Sequence, residues 1–185
     1  MTASDTVHLR SWQADDIDRL DRAAAGISRH ALALRFGVPC TTIPDWYRAR
    51  IIEGLAQRTW NAYVAETGGR IVGWAEYGLN NDPRHADIAA LVCDRYQGIG
   101  LGTRLVRAVA SPARTAGVRV LHAQIQVGNQ AARKALYAAL PDLRYTELQD
   151  GQWHFVVDLP EDSNRTTPGS RTTGSGSSTA LCRAG

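Results

Sequence analysis

The sequence predicts one α/β domain built on a mixed, mostly antiparallel sheet flanked by helices. Three observations carry that expectation. Short apolar stretches of strand character are joined by two-residue turns rich in glycine, which mark hairpins. A block of helical periodicity separates the first such stretch from the others. One apolar stretch, Ala86–Cys93, is divided from Val118–Val127 by a helix long enough for a crossover, so that single step is parallel.

The elements follow in order. Val7–Trp12 alternates as V-x-L-x-W and reads as the opening strand. An acidic stretch from Ala14 places Ile17, Leu20 and Ala24 on one helical face. Ser28 suits the cap of a second helix that runs through Leu32 to Phe36 and is closed by Gly37 and Pro39. Pro44 suits the first turn of a third helix, continuing to about Gln57. Trp60–Thr67 and Arg70–Leu79 are strands around Gly68-Gly69, and Asn80–Arg84 is a turn before Ala86–Cys93. A long helix follows the glycines of Gln97–Thr103 and reaches about Ala116, where Gly117 stops it. Pro112 falls inside that helix, where proline costs about 3 kcal/mol unless the helix kinks. Val118–Val127 is the next strand, and Gly128-Asn129 opens a shorter helix to Leu140. Arg144–Gln149 and Gln152–Leu159 close the domain as a hairpin around Asp150-Gly151. The domain spans residues 5–160. From 161 to 185 the chain turns to Ser, Thr, Gly and Arg and predicts a disordered tail, because it offers too little apolar surface to offset ordering.

Composition narrows the function classes. The chain has 185 residues, 44% hydrophobic and 21% charged, with a net charge of +3. That suits one soluble core. The arginines are scattered rather than blocked, so no nucleic-acid partner is expected. Cys40, Cys93 and Cys182 form no CxxC pair, which argues against a disulfide framework and a zinc site. No apolar run reaches about 18 residues, so no membrane partner is expected. The N-terminal residues lack the pattern of a secretory leader, and the expected location is cytoplasmic.

The most informative stretch is QGIGLGT, Gln97 to Thr103, with Gly98, Gly100 and Gly102 at every second position after an apolar strand. A dinucleotide fingerprint needs G-x-G-x-x-G, and the third glycine would fall on Thr103. A P-loop needs Gly-Lys, and no lysine stands here. The pattern suits a pyrophosphate cradle, in which side-chain-free backbone amides and a helix N-terminus face one anion. The plain alternative is a strand-to-helix turn, for which one glycine would be enough.

Gln97, Gly100 and Gly102 match Q/R-x-x-G-x-G/A, the acyl-CoA pyrophosphate motif of the GNAT acetyltransferase superfamily. The order of elements from Val7 to Leu159 also resembles GNAT, as does an Asn129-initiated helix carrying Ala132 and Leu136-Tyr137. Two segments, ISRHALALRF and ADIAALVCDRYQGIGLGTRL, resemble the Pat-type bacterial protein lysine acetyltransferases. The resemblance implies that the parallel strand pair is splayed. It further implies that acetyl-CoA is the co-substrate, without a metal, held by Ala90, Leu91, Val92, Gln97, Gly98, Ile99, Gly100, Leu101, Gly102, Thr103 and Asn129.

The implied reaction is acetyl transfer to a primary amine by direct attack in a ternary complex. A protonated amine is no nucleophile, so an acid near it must take a proton. The resemblance assigns this to Asp87, which is shorter than the usual glutamate and calls for a bridging water; Glu76 and His85 are alternatives. It assigns the oxyanion-stabilising backbone N–H to Leu91 and the thiolate partner to Tyr137. Asn129 reads equally as a helix cap. Cys93 reads as an inert buried thiol, His122 as core or rim, and Arg35 as an ion pair or a reader of an anionic acceptor. The Pat-type resemblance implies a protein lysine as the acceptor. A small-molecule amine, antibiotic-type, or a non-catalytic acyl-CoA-binding module are the readings left open, as is monomer or dimer. The stretch LPDLRY replaces the family's Gly-Phe after Tyr137, so the final turn or the acceptor pocket differs.

Overall fold

The computed structural model describes residues 6–159; the expected tail at 161–185 lies outside them. The strands are β1 (His8–Ser11), β2 (Trp60–Thr67), β3 (Arg70–Leu79), β4 (His85–Val92), β5 (Val120–Gln126), β6 (Arg144–Gln149) and β7 (Gln152–Asp158). The helices are α1 (Asp16–Ala24), α2 (Arg29–Phe36), α3 (Asp45–Gln57), α4 (Leu101–Thr115) and α5 (Gln130–Ala139). The strands form one sheet in the order β1-β2-β3-β4-β5-β7-β6. Every pairing is antiparallel except β4 with β5. The fold class read from the sequence is therefore the observed one, with strand ends shifted by a residue or two.

Local chemistry explains the connections. Gly68 and Gly69 both have positive φ, as do Asp150 and Gly151, which is the backbone of the tight hairpin turns their sequences require. The Ser28 hydroxyl accepts from the Ala31 N–H and caps α2, and Gly37 ends it in the left-handed region. α4 runs through Pro112 to Thr115, so the proline shortens the hydrogen-bond ladder of the last turn without ending the helix there.

The two faces of the sheet are distinct. Trp74 and Glu76 on β3 and Cys93 after β4 face α1–α3: the Trp74 indole N–H donates to the Tyr47 hydroxyl, and the Cys93 thiol to the Ala23 carbonyl. Gly73 and Val92 face α4, lying against Leu105 and Gly102 respectively. Burial of Leu20, Tyr47, Trp74, Leu105 and Leu121 on these faces supplies the main apolar driving force.

One buried charge network ties α1 to the sheet edge. Asp16 is 0% exposed and accepts two hydrogen bonds from Arg10, one from Arg19 and one from the Gln13 N–H. Arg10 also reaches Glu66 on β2. Burial pushes the Asp16 carboxyl up, but the Arg10 and Gln13 hydrogen bonds and the two arginine charges outweigh it and hold it below the ordinary value. Glu66 is likewise lowered, first by its Arg10 hydrogen bond. Both folded pKa values lie below the unfolded ones, so this stabilisation is present above pH 4 or so and is lost as pH falls through the folded values. Removing one partner leaves buried charge uncompensated. Asp16→Ala is expected to lower the unfolding free energy by about 3 kcal/mol in urea titration at neutral pH. Asp158→Asn, which breaks the exposed pair with Arg144, is expected to change it by less than about 1 kcal/mol.

Candidate active site

The site begins where β4 and β5 stop pairing. Their parallel ladder covers only His85–Val120, Ala86–Leu121 and Asp87–His122. Beyond it both strands continue, β4 to Val92 and β5 to Gln126, with a gap between them. α2 touches both strands at this gap.

The hydrogen-bond phase of β4 decides which backbone groups face the gap. Asn80 N–H donates to His85 O and Cys93 N–H to Val72 O, so the odd residues of β4 turn their peptide groups toward β3. The β3–β4 register holds unbroken between these two bonds. Residues opposed in such a ladder exchange both bonds, so the Leu91 amide is committed to Trp74. This corrects the expectation that Leu91 supplies the oxyanion donor. The even residues point toward β5, and Ala90 is the first whose N–H lies beyond the end of the ladder. Val92 points the same way, and its carbonyl accepts from the Gln97 side-chain amide at 2.9 Å.

The glycine turn lies directly beyond. Gly98 and Gly100 have φ of +78° and +80°, with nothing within 4 Å of an added Cβ. Their conformation alone therefore accounts for two of the three glycines, more than a plain turn was expected to need. Gly102 differs. Its added Cβ would make ordinary contacts, 3.5 Å from the Ala135 Cβ and 3.9 Å from Val92. Neither backbone conformation nor packing requires this third glycine. The first helical bond of α4 runs from Arg104 N–H to Gly100 O, which leaves the Leu101, Gly102 and Thr103 amides without intrahelical acceptors. Ile99 projects outward, 67% exposed. The Thr103 hydroxyl donates to the Ala135 carbonyl on α5. Asn129 caps α5 by accepting from the Ala132 N–H.

On the α1–α3 face the end of the ladder opens into a groove of about 840 Å³, lined in part by Asp87, His122, Gln124, Glu147 and His154. Asp87 is exposed there. Glu76, the alternative acid, is 2% exposed, accepts from Arg35 at 2.7 Å and from the Tyr47 hydroxyl, and has no face on the groove. Burial and then the Glu76 charge push the Tyr47 phenol well above its ordinary value, which keeps it a neutral donor. Arg35 is thus the ion-pair partner rather than a free reader of anions. Cys93 is buried, and burial followed by the Asp94 charge pushes its thiol up to about 11, so it is no nucleophile.

Tyr137 is not brought to the gap. It is 43% exposed and packs edge-on against Phe155 of β7, on the side of α5 away from α4. β5 separates that position from the gap. Leu136, not Tyr137, is the buried residue at this turn of α5.

The acetyltransferase (GNAT) family model matches residues 29–140, from α2 to the end of α5. The chain belongs to the GNAT acetyltransferase family. Its fold is similar to that of the GNAT domain of S. lividans PAT, at 22% identity and a TM-score of 0.72 over 83% of this chain and 90% of that one. It is also similar to yncA of Salmonella typhimurium, solved with acetyl-CoA, at 19% identity and TM-score 0.67 over 85% and 96% of the two chains. A third likeness is to the spermidine N-acetyltransferase of Vibrio cholerae in complex with CoA and spermine, at 13% identity and TM-score 0.63 over 82% and 95%. At these identities the likeness is one of fold. No curated protein matches. Among the described residues no helix is long and apolar enough to cross a membrane.

Gly98→Ala and Gly100→Ala are each expected to cost about 1–2 kcal/mol of stability, because both force a side chain into the left-handed region. Gly102→Ala is expected to be neutral or slightly stabilising in the same thermal melts. A cost at Gly102 equal to the other two would mean that its place in the helix is strained as well.

Proposed function

We propose that this protein transfers the acetyl group of acetyl-CoA to a primary amine, with a protein lysine as the acceptor, by direct attack in a ternary complex. The observation that carries the reading is the pairing of a strand gap, edged by the Ala90 amide, with three free amides at the α4 N-terminus. The co-substrate supplies an activated acetyl thioester. The Leu101, Gly102 and Thr103 amides and the Gly98–Gly100 turn receive its pyrophosphate, helped by the helix dipole. Gln97 acts indirectly, by holding the Val92 carbonyl and the loop in place. The Ala90 N–H takes the oxyanion role first expected of Leu91, since it is the first β4 amide beyond the ladder's end that points toward β5. Asp87 draws the cationic acceptor into the groove and accepts its proton through a water, leaving the neutral amine to attack.

The lysine preference rests on two features: the resemblance of the segments 27–36 and 86–105 to Pat-type enzymes, and a groove that is open rather than enclosed. A cytoplasmic location and a monomer or dimer fit the same reading.

A panel of lysine peptides, polyamines and small-molecule amines with labelled acetyl-CoA tests it, and acetylation of the peptides is the expected result. Turnover confined to a small amine would replace the lysine reading. Tight coenzyme A binding with no turnover on any amine would favour a binding module. Gly102→Val is expected to abolish coenzyme A binding in calorimetry while the protein stays folded. Asp87→Asn is expected to reduce turnover by about 100-fold and to leave coenzyme A affinity unchanged.

A further inference from the structure

His122, on the wall of the groove, is paired with a second histidine, His85, and neither has a part in the acetyl transfer described above. His85 Nδ1 and His122 Nε2 lie 2.8 Å apart across the β4–β5 ladder, with ring centroids 5.1 Å apart and ring planes at 21°. One nitrogen of the two must carry a hydrogen for this contact to hold. His122 is opposed to Asp87 in the last residue pair of the parallel ladder, and paired residues project from the same face. His122 lines the groove; His85 does not and stands behind it, next to the turn that precedes β4. Both are half-buried. A carboxylate, an imidazole and a second imidazole thus lead in sequence from the acceptor groove toward the chain's surface turn.

We infer that His122 and His85 form the onward proton path of this active site, carrying the acceptor's proton from Asp87 to solvent. The inference rests on the acetyltransferase reading. The balance is simple. The ammonium acceptor loses one proton, which reaches Asp87 through water. Asp87 gives it to His122 Nδ1; His122 passes its Nε2 hydrogen to His85 Nδ1; His85 releases its Nε2 hydrogen to water. Each imidazole gains one proton and loses one, so no net charge accumulates, and exchange with solvent restores the starting tautomers. The free amine then attacks the thioester, forming the C–N bond as the C–S bond breaks, and its remaining extra proton goes to the departing thiolate. Asp87 is the member that meets the acceptor's proton, and His122 and His85 are positioning residues that act through it.

The charges facing the pair come from every element around it. On β4 there is Asp87, and in the preceding turn Asp82, whose carboxyl is held down to about 2 by its bonds to Arg84 and, to a smaller degree, by the charge of His85. Arg50 of α3, Glu147 of β6 and His154 of β7 line the same groove. Arg144 and Asp158 share this face one strand further out and bond each other. A pair that already holds an extra proton cannot accept another, so turnover falls on the acid side.

The test is steady-state kinetics across pH with acetyl-CoA and the best amine of the panel, on wild type, H122Q, H85Q and the double variant D87N/H122Q. H122Q is expected to lower kcat by about 10–100-fold, to leave the KM for acetyl-CoA unchanged and to remove the acid limb. Added imidazole is expected to restore part of the rate. H85Q is expected to move the acid limb with a smaller loss of kcat. D87N/H122Q is expected to be no slower than the slower single variant, as for steps in series. Nitrogen-15 spectra of the imidazoles, which need no turnover, are expected to show His122 changing tautomer when His85 is replaced. Folding of each variant is checked by its melting profile. Unchanged kcat and pH profile in H122Q, with wild-type turnover intact, overturns the relay while leaving the acetyltransferase reading in place. Additive losses in the double variant overturn it as well. No wild-type turnover on any amine removes both.

Discussion

The structure depends on a backbone constraint: β4 has amides that β5 does not reach. A buried peptide N–H left without an acceptor costs about 1–3 kcal/mol, so strands in contact normally pair along their whole length. Here the ladder ends at Asp87 and His122, and the chain keeps it from continuing. The Gln97 side chain occupies the Val92 carbonyl, and α2 packs against both strands at the gap. The Arg35–Glu76 ion pair and the Tyr47–Glu76 hydrogen bond then fasten α2 and α3 to β3, one strand away. The buried acid of β3 is thus engaged in holding these helices and has no face on the groove.

From that constraint the two faces take separate tasks. The α4 face carries the glycine turn and the unpaired N-terminal amides of α4, an arrangement suited to an anion. The opposite face carries Asp87 and His122 in an open groove with His85 behind them, and in the proposed reaction this is the side that would receive the cationic acceptor and its proton. In the proposed reaction the two substrates approach the gap from opposite faces of the sheet, with the Ala90 amide between them. In α5 the N-terminus is capped by Asn129, Leu136 lies on the buried side, and the tyrosine joins an aromatic cluster with Phe155 and Tyr145 on the far side of β5.

Much of this was legible in the sequence. Gly68-Gly69 and Asp150-Gly151 declared the hairpins, Ser28 and Asn129 declared their helices, and the spacing of Gln97, Gly100 and Gly102 pointed to the loop. What stayed hidden was whatever depends on phase or on contact across strands. The run A-D-I-A-A-L-V is apolar almost throughout, so nothing in it distinguishes the amide of Leu91 from that of Ala90; only the hydrogen-bond parity of the folded strand does. Tyr137 and Leu136 differ by one helical position, a rotation of about 100°, and their order gives no sign of which points inward. Glu76 and Arg35 stand 41 residues apart, and His85 and His122 stand 37 apart. Their meetings follow from topology, although a histidine at the start of β4 and another near the start of β5, two places beyond its register partner, are the signal from which the second pair could have been suspected.

The most direct measurement is amide NMR of the uniformly labelled protein titrated with coenzyme A. The account predicts shifts concentrated at Ala90, Val92 and residues 98–103, with the Leu91 amide slow to exchange both before and after addition. A titration that leaves those amides unmoved, or that moves Leu91 in place of Ala90, would contradict the picture of a strand gap edged by the Ala90 amide.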